Sequence, residues 1–289
     1  MTRLLLWTAI AAVAPKPGFA TDRAIYEQMS RQWVVPDCDD LQCFRPLVSW
    51  VLGFMPGEGY AKWRAYAVVC EAASALAMAL WVLRTGASMH AAVIVLWLTA
   101  LGTGSLYTLY DPFTSDPLMH LLGPLLMTLL VDGRLWIATA IAGAGILAKE
   151  FAAVPMFVHA LMRVFRLEFR RFDDVVLSLG MVIAVWTSWG VLSRAAFNYT
   201  ASKSHSFDRL GQGGFLGFWL EHIGMSLALV AIGGALAGLW VLWPAGVLRG
   251  PSMVKQLSAA AIVPFLVFNY VQQPDRAIWN FAFAIMPAV

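Results

Sequence analysis

This chain is poor in charged residues. Charged residues make up 13% of its 289 residues, whereas a typical soluble domain has about 25%. Hydrophobic residues make up 60%, and the mean hydropathy is +0.69. This balance lies outside the soluble globular range and predicts an all-α, polytopic transmembrane protein, because helices satisfy their own backbone hydrogen bonds in lipid.

Three further features are missing. The chain has no internal repeat, no Rossmann or P-loop glycine pattern, and no basic patch with interleaved aromatic residues. The net charge of +3 comes from Lys and Arg at the ends of apolar segments, where such residues act as orientation signals. We therefore expect membrane lipids as partners and no nucleic acid.

Cysteine is scarce, with three residues in the whole chain. Cys38 and Cys43 flank a short acidic run and could close a small disulfide in an oxidising compartment. The spacing does not decide whether they do. A zinc site is disfavoured, because zinc sites normally need a second pair of ligands.

Apolar segments fill most of the chain, and we treat residues 1–289 as one transmembrane domain. Leu4–Ala14 follows a basic start and resembles a signal peptide, but Lys16 and the prolines beside it favour a retained first helix. Either alternative places Thr21 outside. The later segments expected to cross or enter the bilayer are Tyr60–Arg84, Ser88–Tyr110, Pro117–Val131, Leu135–Val164, Val175–Leu192, Phe215–Val247 and Leu257–Val271. The last apolar run, Ile278–Val289, is too short to span comfortably.

Segment 135–164 carries two charges, Lys149 and Glu150, near its middle. Each would cost about 2.5–3.5 kcal/mol at the bilayer centre. A hairpin of two short helices that turns at Lys149 avoids this cost, so we predict that hairpin.

The orientation of the chain in the membrane follows from its densest cluster of basic residues, which the positive-inside rule assigns to the cytoplasm. This cluster comprises Arg163, Arg166, Arg170 and Arg171. The hairpin turn and two polar loops, 21–58 and 194–214, then lie on the non-cytoplasmic face. We expect short interfacial helices in loop 21–58, with Arg45 at the level of the lipid headgroups.

Acids and cations recur in these outward turns. Asp22 could act as a general base, bind a hard divalent ion, or cap a helix over residues 23–30. Asp111 and Asp116 each precede a proline, a common way to open a turn or a helix. His120 follows Asp116 by one helical turn, so the two form either a metal or acid–base pair or a histidine held by a capping aspartate.

Two cations, Lys149 and Arg276, are expected at the outer membrane surface. Both can donate charge-assisted hydrogen bonds to a lipid phosphate, and arginine can do so with two parallel bonds. The alternatives for Lys149 are an ion pair with Glu150 or extension to the membrane surface.

Together these stretches resemble the GT-C superfamily of membrane glycosyltransferases, which includes protein O-mannosyltransferases and aminoarabinose transferases. The resemblance rests on the first outer loop with Asp22, on YDPF around Asp111, on GILAKE at the hairpin turn, and on QQPDRAIWNF near the end. It implies a GT-C-like transmembrane module that takes a sugar from a polyprenyl-phosphate donor on the outer face.

The resemblance also implies roles for individual residues. Asp22 would be catalytic with support from a second outer-loop acid, Asp111 or Asp116. The donor phosphate would be held by Lys149 and Arg276. From the residues themselves, Arg45 is a further candidate to bind the phosphate, and Asp22, Asp116 and His120 are candidates to bind a divalent cation (Mg or Mn). We expect the inner membrane of a bacterium.

The chain departs from the family pattern in two ways. The paired acids of the first loop are here Asp22-Arg23, and many relatives continue into further spans and a soluble domain. A protein partner would then supply the C-terminal function. The alternative is a non-catalytic subunit that keeps the fold and acts as a scaffold.

Overall fold

Helices are the only regular elements in the part of the chain that the computed structural model describes, residues 21–57, 59–167, 172–200, 243–268 and 279–288. Residues 243–249 are helical, and 3-10 helices cover Leu41–Phe44, Glu150–Ala153 and Met286–Ala288. The α-helices are α1 Thr21–Gln32, α2 Leu47–Gly53, α3 Gly59–Arg84, α4 Met89–Leu101, α5 Thr103–Tyr110, α6 Asp116–Val131, α7 Leu135–Gly145, α8 Val154–Phe165, α9 Phe172–Phe197, α10 Ser252–Phe268 and α11 Ala282–Ile285.

Three helical segments are long and apolar enough to cross a membrane: Gly59–Arg84, Met89–Tyr110 and Phe172–Phe197. They correspond to three of the segments expected from the sequence. α9 leaves most of its apolar surface uncovered, since only 17% of its apolar window is buried within the protein. An uncovered apolar face of this size is typical of a surface that meets lipid or another protein.

The core is built around α6, which packs against α3, α7 and α8. Leu126 and Met127 of α6 are fully buried, as are Trp63 and Trp81 of α3. The C-terminal segment 279–288 packs into the same core, where the indole Nε1 of Trp81 donates a hydrogen bond to the carbonyl oxygen of Phe283 at 2.7 Å. α6 is therefore enclosed by helices that are distant in sequence.

The segment 88–110, predicted as one helix, is divided in the structure. Gly102 has an extended backbone (φ −65°, ψ 156°) and separates α4 from α5. A second glycine, Gly104, lies against the Trp279 ring, to which a Cβ at that position would approach within 2.5 Å. The interruption lets α5 pack closely against the C-terminal segment, a contact that hydrophobicity alone could not indicate.

The predicted hairpin 135–164 is observed. α7 ends at Gly145, the chain turns before Lys149, and α8 begins at Val154 after one 3-10 turn. A Cβ on Gly145 would lie 2.5 Å from Leu122 Cδ1 and 3.0 Å from Ala152 Cβ. A side chain at this position would therefore displace Leu122 and crowd Ala152, so glycine allows the hairpin turn to pack closely against α6.

The first loop contains the disulfide that the spacing left open, between Cys38 and Cys43. The loop docks on the end of α9, where Asp37 N–H donates to the Phe197 carbonyl at 3.0 Å and Thr200 N–H donates to the Cys38 carbonyl at 3.1 Å. Some expectations lie outside the described residues: the first segment, loop 194–214 beyond residue 200, the segment 215–247 up to residue 242, and Arg276.

Candidate functional site

The hairpin turn forms an ion pair with the first loop. Arg45 donates to Glu150 through Nε (3.1 Å to Oε2) and Nη2 (2.6 Å to Oε1), a two-bond geometry that favours a fixed orientation. Arg45 is 9% exposed and follows the 3-10 helix that contains Cys43. Trp189 Nε1 of α9 holds that helix by donating to the Phe44 carbonyl at 3.0 Å.

A second ion pair joins the hairpin turn to the start of α6. Lys149 Nζ donates to Asp116 Oδ1, and the Asp116 side chain is fully buried. The Lys149 ammonium also lies 4.8 Å from the centroid of the Phe151 ring, within the range of a cation–π contact. Pro117 provides the fixed φ of the first helical turn, so α6 begins with Asp116 in place.

Tyr26 of α1 lies between these charges. Its ring is buried and packs against Trp63, with 5.5 Å between the ring centroids. Burial raises the pKa of Tyr26 to about 12, although Arg45 opposes this shift, and the Asp22 and Asp116 carboxylates add to it. The hydroxyl also forms a hydrogen bond with Ser115.

The ion pair between Arg45 and Glu150 determines the protonation states of both groups. Burial by itself would raise the pKa of Glu150, but the Arg45 guanidinium and the Lys149 ammonium outweigh it and lower that pKa. Burial likewise opposes the charge on Arg45, and Glu150 reverses the effect, so the pKa of Arg45 is raised. Both groups are therefore charged at neutral pH.

These contacts define the hairpin charge cluster, formed by residues of α1, the first loop, the start of α6 and the hairpin turn. Four of the residues singled out from the sequence belong to it, whereas Tyr26 was assigned no role from the sequence and Glu150 appeared only as the neighbour of Lys149. The members of the cluster are Asp22, Tyr26, Arg45, Asp116, Lys149 and Glu150.

The contacts of two other residues expected at the site are as follows. Asp111 caps the C-terminal end of α5, where its backbone N–H donates to the Tyr107 carbonyl at 2.8 Å. The Nδ1 atom of His120 lies 2.8 Å from Glu71 Oε1, a partner that the sequence reasoning missed.

Glu71 is the centre of a second polar site, the buried carboxyl network, formed by Glu71, Ser105, Thr108 and His120. Glu71 is 0% exposed, and the hydroxyls of Ser105 and Thr108 each lie 2.8 Å from one of its carboxyl oxygens. One signal could have found it, because Glu71 is the single charged residue between Arg64 and Arg84.

The divalent cation was expected between Asp22, Asp116 and His120. In the structure, Asp116 pairs with Lys149 and His120 pairs with Glu71. Within residues 21–57, 59–167, 172–200, 243–268 and 279–288, no group of three or more His, Cys, Asp or Glu side chains is placed to hold a metal ion. The observed partners do not fit the expected ligand set, and we assign no step to a metal.

Comparison of the chain with protein-family models, curated proteins and solved structures finds no match. The hairpin charge cluster and the buried carboxyl network are therefore interpreted from their own chemistry.

Proposed function

We propose that this chain is an integral membrane glycosyltransferase that moves a sugar from a polyprenyl-phosphate donor to an acceptor at the non-cytoplasmic face, in the inner membrane of a bacterium. One observation carries the proposal. The hairpin charge cluster draws an acid or a cation from four separate stretches of an otherwise apolar chain. Ionisable groups gathered in this way are common at functional sites.

The orientation is supported by α8. Its last turn contains Arg163, and Arg166 follows directly, whereas the hairpin turn with Lys149 precedes its first residue. The 12 residues of α8 extend over about 18 Å. If the arginines mark the cytoplasmic side, the hairpin charge cluster belongs to the opposite side.

Arg45 and Lys149 are the cations proposed to hold the donor phosphate, with Arg276 as a third. Each of the first two already pairs with a carboxylate, Glu150 and Asp116 respectively. A phosphate would therefore take over hydrogen bonds that these acids accept in the free protein. The existing ion pairs hold the two cations in place before the donor binds, which lowers the entropic cost of ordering their side chains on binding.

Asp22 is the proposed base towards the acceptor, and Asp111 would support it. The acceptor hydroxyl gives its proton to the Asp22 carboxylate as its oxygen bonds to the sugar carbon, and the phosphate leaves with the electrons of the broken bond. Tyr26 is one helical turn from Asp22, and its buried hydroxyl remains protonated at neutral pH. It would position Asp22 and the acceptor without taking part in the proton transfer.

A specific observation favours the second candidate, a non-catalytic scaffold subunit. Both cations of the described cluster are neutralised within the protein, and Asp116 is fully buried. Internal pairing of this kind also serves purely to fix a hairpin against its neighbours.

The test separates the two candidates. The purified protein in nanodiscs is titrated with a short-chain polyprenyl phosphate, and sugar transfer is followed with a radiolabelled polyprenyl-phosphate sugar. We expect Lys149→Met to weaken binding at least tenfold, whereas Lys255→Met, at an exposed lysine of α10, leaves binding unchanged. We expect Asp22→Asn to abolish transfer without loss of binding, and Asp173→Asn, at an exposed aspartate of α9, to retain both.

Absence of binding and transfer in the wild-type protein would contradict the transferase and favour the scaffold. If the Lys149→Met variant binds polyprenyl phosphate as tightly as the wild-type protein does, the assignment of the phosphate site to Lys149 is wrong, even if sugar transfer is observed.

A further inference from the structure

The buried carboxyl network lies halfway along the first candidate span. Glu71 is in the middle of α3 (Gly59–Arg84), about 18 Å from the first residue of the helix. α3 is one of the three helices that are long and apolar enough to cross a membrane. A charged carboxylate at such a depth is costly, and ionisable residues there are usually functional.

The two hydroxyl groups of the network have fewer protons to donate than there are acceptors within hydrogen-bond distance. The Ser105 hydroxyl lies 2.8 Å from Glu71 Oε2 and 2.7 Å from the Thr99 carbonyl oxygen, but it has one proton to donate. The Thr108 hydroxyl likewise lies 2.8 Å from Glu71 Oε1 and 3.0 Å from the Ser105 carbonyl oxygen. With Glu71 ionised, the one Ser105 proton cannot serve both Glu71 Oε2 and the Thr99 carbonyl, whereas Glu71 Oε1 has a second partner in His120 Nδ1.

One added proton removes the conflict at Ser105. If Oε2 of Glu71 is protonated, its O–H donates to Ser105 Oγ, and the Ser105 proton is free to donate to the Thr99 carbonyl. The carbonyl oxygen of Thr99 lies just before the interruption at Gly102, where helical backbone partners are lost. His120 Nδ1 then donates to the remaining oxygen, Oε1.

A cavity beside the network has room for a proton acceptor. It has a volume of about 10 Å³, which is roughly the space that a single water molecule requires. Its wall includes Ser105, Thr99, His120 and Ser74. Among the described residues, His120 Nε2 and Ser74 Oγ have no hydrogen-bond partner, and both residues line this cavity.

In the part of the chain that the structure describes, few other ionisable groups contact or interact with Glu71. Cys70 precedes it on α3 and interacts with it electrostatically. On α6, the neighbours are His120 and, one turn earlier, Asp116 with its partner Lys149. α5 contributes hydroxyls alone to the network, and the segment 279–288 contributes neutral side chains to the cavity.

We propose that Glu71 and His120 form a proton-binding site within the membrane, in which one exchangeable proton resides on Glu71 Oε2. On release, the O–H bond of Glu71 breaks and its proton passes to Ser105 Oγ, while the Ser105 proton passes to water in the cavity and forms hydronium. The electron pair stays on the carboxylate, which His120 Nδ1–H continues to hold. This site does not depend on the transferase activity proposed above.

The experiment is infrared spectroscopy of the protein in nanodiscs at pH 7, with 13C-labelled glutamate to identify the bands. We expect a carbonyl stretch of a neutral carboxylic acid that shifts with the label, shifts again in D2O, and is lost in Glu71→Gln. The control Glu27→Gln changes a glutamate of α1 that pairs with Arg23 and is expected to keep the band.

A second variant covers the case in which Glu71→Gln does not fold. Ser105→Ala keeps the acid but removes the acceptor of its O–H group, so the band is expected to move to higher frequency. The proposal is overturned if the wild-type protein has no labelled acid band, if the band is equal in Glu71→Gln, or if it does not shift in D2O. An unchanged frequency in Ser105→Ala would overturn the assignment of the proton to Oε2.

Discussion

Removing one charge of the Arg45–Glu150 pair is expected to destabilise the fold strongly. The change is Glu150→Gln, which keeps the size of the side chain and one hydrogen-bond acceptor. It leaves the Arg45 guanidinium, whose side chain is 11% exposed, without its counter-ion. An uncompensated buried charge is among the few causes of a large loss in the free energy of unfolding.

The size of the expected loss in the free energy of unfolding depends on how far the ion pair is exposed to water. Breaking a fully buried pair by removing one partner costs about 3–5 kcal/mol. The Glu150 side chain is 31% exposed, so water compensates part of the loss. We therefore expect a decrease of about 2–3 kcal/mol in the free energy of unfolding.

The assay is equilibrium unfolding in mixed micelles with increasing sodium dodecyl sulfate, with Glu27→Gln as the matched control. The Arg23–Glu27 pair joins adjacent turns of α1, and its side chains are 38% and 20% exposed. Such a pair contributes about 0.3–0.5 kcal/mol, so the control is expected to be nearly as stable as the wild-type protein.

The pH dependence gives an independent check. The pKa of Glu150 is lowered by Arg45 against the effect of burial, from an ordinary value of 4.5. A lowered pKa contributes stability that is complete above the unfolded-state value and is lost as the pH falls through the folded-state value. The wild-type advantage over Glu150→Gln is thus expected to shrink only below about pH 4.5. The reasoning is refuted if Glu150→Gln is no less stable than Glu27→Gln at pH 7.

Two further predictions concern the same unfolding measurement. Replacing Cys38 by Ser opens the disulfide to Cys43, and a closed loop of this length contributes about 2 kcal/mol; no change relative to the wild-type protein under oxidising conditions would contradict the bond. Gly123→Ala places a Cβ 2.7 Å from Cδ1 of the buried Phe283 ring and is expected to cost about 1–3 kcal/mol, whereas at Gly143 the nearest atom is 3.8 Å away. Gly143→Ala is therefore expected to be neutral or stabilising by up to about 1 kcal/mol, and equal losses in the two variants would contradict the packing.

Local features of the fold were predictable from the sequence. The hairpin follows from Lys149 and Glu150, because two adjacent charges in an apolar run indicate a turn near the membrane surface. The start of α6 follows from Asp116-Pro117, since proline fixes the first helical turn. The apolar runs predicted three of the observed helices to within a few residues.

Long-range pairing was not predictable. Arg45 and Glu150 are 105 residues apart, and nothing in either local pattern indicates which acid each cation meets. His120 was considered only against Asp116, because helical spacing shows neighbours on one helix and not the Glu71 carboxyl of α3. The close approach of Gly104 in α5 to the Trp279 ring is a contact that hydrophobicity does not encode.

The docking of the first loop on α9 has a consequence for synthesis. Asp37 and Asn198 are joined by a hydrogen bond across 161 residues of chain. Ribosomes add about 5–20 residues per second, so the loop waits roughly 8–32 s before its docking surface exists. The two cysteines are close in sequence and can be oxidised during that interval. The loop can therefore reach α9 already cross-linked, so that its docking joins two parts that are each formed beforehand.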